Sequence, residues 1–188
     1  MRSEPGPVES ADAWENTWPQ SREDFERLVD AFLQRLVQYA YRRLGNLHDA
    51  EDVVQEVFAR VYARRLECAH VSPLGPYLYR MAANACTDVL RKRKRRHVSL
   101  DGIDGENIAS ERGDGATLSA ALEEVQRAEA LLRRLPKKQA EVIRLRVFDG
   151  LRVNQIAEVV GCSANTVSSR LRYGFGKLRR IISREWKQ

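Results

Sequence analysis

Apolar residues recur at helical spacing along most of the chain. Phe25, Leu28, Val29, Phe32, Leu33, Leu36, Val37 and Ala40 follow one another at three- and four-residue steps, which predicts an amphipathic helix. Ser21 followed by Asp24 supplies an N-cap and a first-turn acid, and Gly45 supplies the stop. Asp49 is placed to cap a second helix whose buried face is Val53, Val54, Val57, Phe58 and Val61. Two prolines and a glycine predict a loop from Cys68 to Pro76. A third helix follows, with Leu78, Met81, Ala82, Ala85 and Val89 on its core face. Residues 97–118 break the pattern: four glycines, five acids and little periodicity predict a flexible, acidic linker. Helix resumes near Ser119 and leads into LPKKQAEVIRLRVFDGLRVNQIAEVVGCSANTVSSRLRYGFGKLRR, which reads as three helices separated by Gly150 and Gly161. The predicted fold class is all-α: two small helical domains, residues 21–96 and 119–188, on a flexible linker. Residues 1–20, rich in Pro, Glu and Ser, predict a mobile, acidic tail in which Trp14 and Trp18 pack on a partner or, by preference, on the body of the protein.

The last of these stretches has the form short helix, tight glycine turn, longer helix, which is helix-turn-helix geometry. Ser163 is placed to N-cap the longer helix, and Val167, Leu171 and Leu178 form its buried stripe. The first exposed residues of that helix are Asn165, Thr166, Ser168, Ser169, Arg170 and Arg172. Asn pairs bidentately with adenine and Arg with guanine, while Ser and Thr accept either. Charge separates this from a plain helical bundle. From Arg133 onward there are 14 Lys/Arg against 4 Asp/Glu, leaving 18 against 22 in the rest of a chain whose net charge is +6. The whole basic excess therefore sits on the C-terminal segment, as a phosphate-binding module requires.

Two further clusters carry candidate chemistry. Asp49, Glu51, Asp52 and Glu56, with no Lys or Arg among them, make a negative patch on the second helix. Three readings are open: a solvated helix face, a divalent-metal site as in a nuclease, and a docking surface for a basic partner. The third helix begins with Tyr77 and Tyr79 and closes with six consecutive basic residues, Arg91 to Arg96. Aromatics beside a basic run suit unstacked bases, with the rings against the bases and the cations along the backbone. Cys68, Cys86 and Cys162 are far apart and odd in number, which argues against a disulfide framework or zinc site. No apolar run of about 18 residues is present to span a membrane. No catalytic residue, metal or cofactor is expected.

Together these stretches resemble the extracytoplasmic-function (ECF) group of sigma-70 family sigma factors, built from regions 2 and 4. DAEDVVQEVF at 49–58 is similar to the core-binding helix of region 2. PYLYRMAANACTDVLRKRKRR is similar to the helix that melts and reads the minus-ten element, and the helix-turn-helix resembles region 4. The resemblance implies a factor that binds core RNA polymerase and directs it to promoter DNA. It implies that Asp49, Glu51, Asp52, Gln55, Glu56 and Phe58 face the clamp helices of the β′ subunit, which selects the docking reading of the acidic patch. It implies that Tyr77, Asn84, Asp88, Arg91, Lys92 and Arg95 meet the minus-ten strand. Asn165, Thr166, Ser169, Arg170 and Arg172 then read the minus-thirty-five element. The β flap and an anti-sigma factor are further implied partners, and a cytoplasmic location is implied. The sequence departs from the family pattern in three places: Tyr77 stands for a usual Trp, Ser168 for a common Lys or Arg, and Tyr173-Gly174-Phe175-Gly176 for an Arg-Ala-Arg stretch. The paired glycines predict that the last helix bends or frays there. Tyr173 and Phe175 are then candidates for a protein partner. The rival readings are a stand-alone helix-turn-helix regulator and a metal-dependent nuclease using Asp49, Asp52 and Glu56.

Overall fold

The computed structural model describes residues 18–64, 73–100 and 120–185; Trp14, Cys68, His70 and most of the predicted linker lie outside them. Among the described residues there are seven helices and no strand. The chain divides into two units, residues 1–112 and 113–188.

The first unit packs three helices: α1 (Arg22–Leu44), α2 (Leu47–Arg64) and α3 (Leu74–Leu100). Ser21 and Asp24 close the reciprocal capping box at the start of α1, each side chain accepting the other's backbone N–H at 3.0 Å. Gly45 ends α1 in the left-handed conformation, φ 70°. The cap of α2 differs from expectation. Asn46 takes it, its Oδ1 accepting the Asp49 N–H at 3.0 Å, so Asp49 lies inside the first turn. α3 starts at Leu74, within the predicted loop, because a proline in the first helical turn loses no hydrogen bond. It ends at Leu100 rather than Arg96, since residues 97–100 contain neither glycine nor proline and the first stop is Gly102.

The core of this unit is made by Leu28, Phe32 and Leu36 of α1, Val54, Val57 and Val61 of α2, and Leu74, Leu78 and Tyr79 of α3. The buried face of α3 is rotated from the predicted one: Tyr79, Ala83 and Cys86 are inside, while Met81, Ala85 and Val89 are only half-buried. Tyr79 packs edge-on against Tyr39, with ring centroids 5.3 Å apart. Burial pushes the Cys86 thiol up to about 11, against the opposing charge of Arg43, so it is protonated at neutral pH. Trp18 and Pro19, at the end of the predicted tail, are buried, so Trp18 contacts the body of the protein as expected. The Trp18 ring lies 5.5 Å from that of Tyr77.

The second unit contains α4 (Ala120–Arg133), α5 (Lys137–Val147), α6 (Val153–Val160) and α7 (Ala164–Glu185). Leu132, Leu135, Ala140 and Ile143 form a buried cluster, and Phe148, Leu171, Leu178 and Ile181 pack on it. The side chains of Arg144 and Glu129 tie α5 to α4 through a fork of hydrogen bonds at 2.8–3.1 Å. Gly150 takes a left-handed φ of 70°, but the cap expected there falls two residues earlier, at Phe148.

Candidate functional site

The helix-turn-helix is α6, the turn Gly161–Ser163 and α7. Gly161 is left-handed at φ 64°, and its N–H returns to the Ala157 carbonyl. Ser163 then caps α7, its Oγ accepting the Thr166 N–H at 3.2 Å and lying 2.9 Å from Thr166 Oγ1. Thr166 is thus engaged in starting the helix. Helical periodicity places Asn165, Ser168, Ser169, Arg172 and Gly176 on one stripe, opposite the buried Val167 and Gly174. Asn165, Ser168 and Arg172 are exposed and Ser169 is half-buried. The Arg172 guanidinium lies 5.1 Å from the Tyr173 ring centroid. Arg170 lies off this stripe, toward the buried side of the helix, half-buried, with Nη1 3.5 Å from Cys162 Sγ. Arg172, not Arg170, is the arginine on the open face.

α7 neither stops nor frays at its glycines; it runs unbroken from Ala164 to Glu185. The reason at Gly174 is steric: a Cβ there would stand 2.6 Å from Ile143 Cδ1 and 3.5 Å from Gln139 Cβ. Gly174 lets α7 lie close against α5. Gly176 faces open space. Tyr173 and Phe175, at 57% and 44% exposure, stay outside.

In the first unit the acidic patch divides by helix face. Glu51, Asp52, Gln55 and Glu56 are exposed, and Val53, Val54 and Val57, which alternate with them, are buried. Two residues assigned to the docking face have partners within the unit. Phe58 is 7% exposed and edge-on to Phe25, with centroids 6.2 Å apart, so its ring belongs to the packing between α1 and α2. Asp49 is turned to Arg93 of α3, which hydrogen-bonds its Oδ2. Glu56 pairs with Arg60, and Asp52 Oδ2 is 3.7 Å from His48 Nε2. Among the described residues no three His, Cys, Asp or Glu side chains gather as metal ligands. An open groove of about 540 Å³ runs between α1 and α2, floored by Phe25, Val29, Phe58 and Tyr62.

On α3, Asn84, Asp88, Arg91, Lys92 and Arg95 are all exposed, and Asp88 is 3.5 Å from Arg91 one turn on. Tyr77 is half-buried between the Trp18 ring and the Arg80 guanidinium, the latter 5.4 Å from its centroid. Tyr79 is 1% exposed and is not a stacking surface. The inward role of Arg93 was invisible within six consecutive basic residues. Its signal is only the half-turn offset from Arg91 and Arg95.

A helical unit with an acid-faced helix beside a basic one, joined in the same chain to a basic helix-turn-helix unit, defines a protein that brings a partner to DNA. The Sigma-70 region 2 family matches residues 28–96, and the Sigma-70 region 4 family matches residues 125–178. The chain is 30% identical to the ECF RNA polymerase sigma factor SigW of Bacillus subtilis, over 84% of this chain and 88% of that one. It belongs to the ECF sigma factors of the sigma-70 family, which direct RNA polymerase to promoters and initiate transcription there. Sigma factors as a class are initiation factors rather than enzymes. The fold is similar to that of the sigma factor RpoE of Bartonella quintana, solved with the anti-sigma factor NepR: TM-score 0.66, 24% identity, covering 86% of this chain and 98% of that one. It is also similar to CnrH, solved with the cytosolic domain of CnrY: TM-score 0.60, 22% identity, covering 92% and 94%. No helix among the described residues is long and apolar enough to cross a membrane.

Proposed function

We propose that the two units divide the work of initiation among the residues that the fold leaves outside. Glu51, Asp52, Gln55 and Glu56 of α2 dock on the clamp helices of the polymerase β′ subunit. Asn84, Asp88, Arg91, Lys92 and Arg95 of α3 hold the opened minus-ten strand, with Tyr77 at the start of that helix. Asn165, Ser169 and Arg172 read the minus-thirty-five element from the open stripe of α7, with Thr166 at its start and half-buried Arg170 reaching the DNA from beside the turn. The basic second unit supplies phosphate contacts that position the duplex while the few base-edge contacts specify it. It also meets the β flap. The chain works in the cytoplasm with no catalytic step of its own. Tyr173 and Phe175 belong to a surface for an anti-sigma factor, a kind of partner named for the structurally similar RpoE.

One observation carries the docking assignment: α2 keeps its four polar residues exposed while the valines between them are buried. Opposite fields steer and align association, so reversing the charge of this face tests it. Asp52→Lys with Glu56→Lys weakens capture of core polymerase and leaves duplex binding by the second unit's helix-turn-helix unchanged. Undiminished capture would overturn the assignment.

A further inference from the structure

Arg93 stands apart from the rest of the basic run on α3. Arg91, Lys92, Lys94 and Arg95 are exposed, whereas the Arg93 side chain is 28% exposed. Its Nη1 donates to the carbonyl oxygen of Leu44 at 2.8 Å, and its Nη2 donates to Asp49. Leu44 ends α1, so its carbonyl is one of those a helix terminus leaves without a partner and carries the negative end of the dipole. Asp49 lies in the first turn of α2. One planar guanidinium therefore holds two negative sites on two other helices, a task its fixed fork suits better than a lysine ammonium. The place in the bundle matters as well. Cys86 is the last buried apolar side chain of α3 among the described residues, and Val89 and Leu90 are only half-buried. Beyond them, Arg93 joins the basic end of α3 to the turn between α1 and α2.

We propose that Arg93 and Asp49 are positioning residues for strand capture. They touch neither polymerase nor DNA. They fix where the exposed cations of α3 stand relative to the docking face of α2, so that a polymerase holding α2 also places Lys92 and Arg95 on the opened strand. The inference rests on the assignment of α3 to the minus-ten strand.

The sign of one substitution separates this role from a direct contact. If Arg93 bound phosphate, neutralising Asp49 would release it and strengthen promoter binding. If the pair positions α3, neutralising Asp49 weakens promoter opening. The experiment reconstitutes holoenzyme from core polymerase and the full chain, and measures promoter opening and its salt dependence. Arg93→Ala and Asp49→Asn should each lower opening about tenfold, and the double variant should be no worse than the more severe single one, the mark of a coupled pair. Arg93→Lys should recover part of the loss. Affinity for core and the slope of log affinity against log salt should not move. Opening unchanged or raised by Asp49→Asn would overturn the proposal, as would an Arg93→Ala slope shallower by about one phosphate contact. If Arg93→Ala does not fold, Asp49→Asn and Arg93→Lys decide alone. Lys92→Ala and Arg95→Ala serve as controls. Should they leave opening and slope unchanged, the assignment of α3 itself fails; should they act while Asp49→Asn does not, only the positioning role fails.

Discussion

Asp24 is a surface residue whose charge is fixed by its hydrogen bonds. The Ser21 backbone N–H first, then the Arg27 side chain and the Gln20 N–H, hold its carboxyl at about 2, below an ordinary 3.8. A depressed folded-state value stabilises the fold above the ordinary value and loses that contribution as pH falls through the folded one. Asp24→Asn should therefore lower the melting temperature near neutral pH, and the gap to wild type should close between about pH 4 and pH 2. Melting curves across that range check it; a constant gap would contradict it. On α7 the residue-scale prediction concerns Arg172. If its guanidinium reaches a base pair, Arg172→Ala costs about 1–3 kcal/mol of discrimination at one promoter position. Selection from a promoter library reads this as relaxed preference there. The same preferred sequence as wild type would remove Arg172 from the reading set.

At the scale of elements, the glycines of α7 make the sharpest test. Gly176 faces open space within a helix, so Gly176→Ala should stabilise the second unit by about 0.5–1 kcal/mol through reduced backbone freedom. Gly174 lies against Ile143 of α5, so Gly174→Val should destabilise by about 1–3 kcal/mol through overpacking. Denaturant melts of both variants suffice, and equal effects would contradict the close α5–α7 approach. The sequence showed both glycines and their cost in a helix but not the neighbour that explains one of them, because a close approach is a tertiary fact. Helix identity was legible wherever the apolar period was long, as along α1. Helix ends were less so: Asn46, not Asp49, caps α2, and α3 is longer at both ends than its proline and its basic run suggested. Local signals allowed both choices, and packing selected one. The same limit applies to the site. Periodicity separated Glu51, Asp52, Gln55 and Glu56 from the core valines. It could not show that Phe58 packs on Phe25, that Asp49 turns to Arg93, or that Trp18 covers Tyr77, since each of those partners is distant in sequence.

For the whole molecule, the division of charge is the organising fact. The segment from Arg133 holds 14 Lys/Arg against 4 Asp/Glu, and Glu51, Asp52 and Glu56 of α2 are exposed on the other unit. This division is what the proposed assignment uses: duplex DNA for the basic unit and a basic protein surface for the acids of α2. Phosphate contacts position the duplex but carry no sequence information, so specificity falls to the few base-edge contacts of α7 and α3. Promoter binding by holoenzyme should fall steeply with salt, as expected when many phosphates are neutralised at once. The most direct test is transcription from a random promoter library, using core polymerase freed of sigma factors, with and without this chain. The account predicts that transcripts start at a shared two-part promoter only when the chain is present, and that Asp52→Lys with Glu56→Lys abolishes them. Transcripts indifferent to the chain, or a tight promoter footprint made by the chain without polymerase, would contradict it.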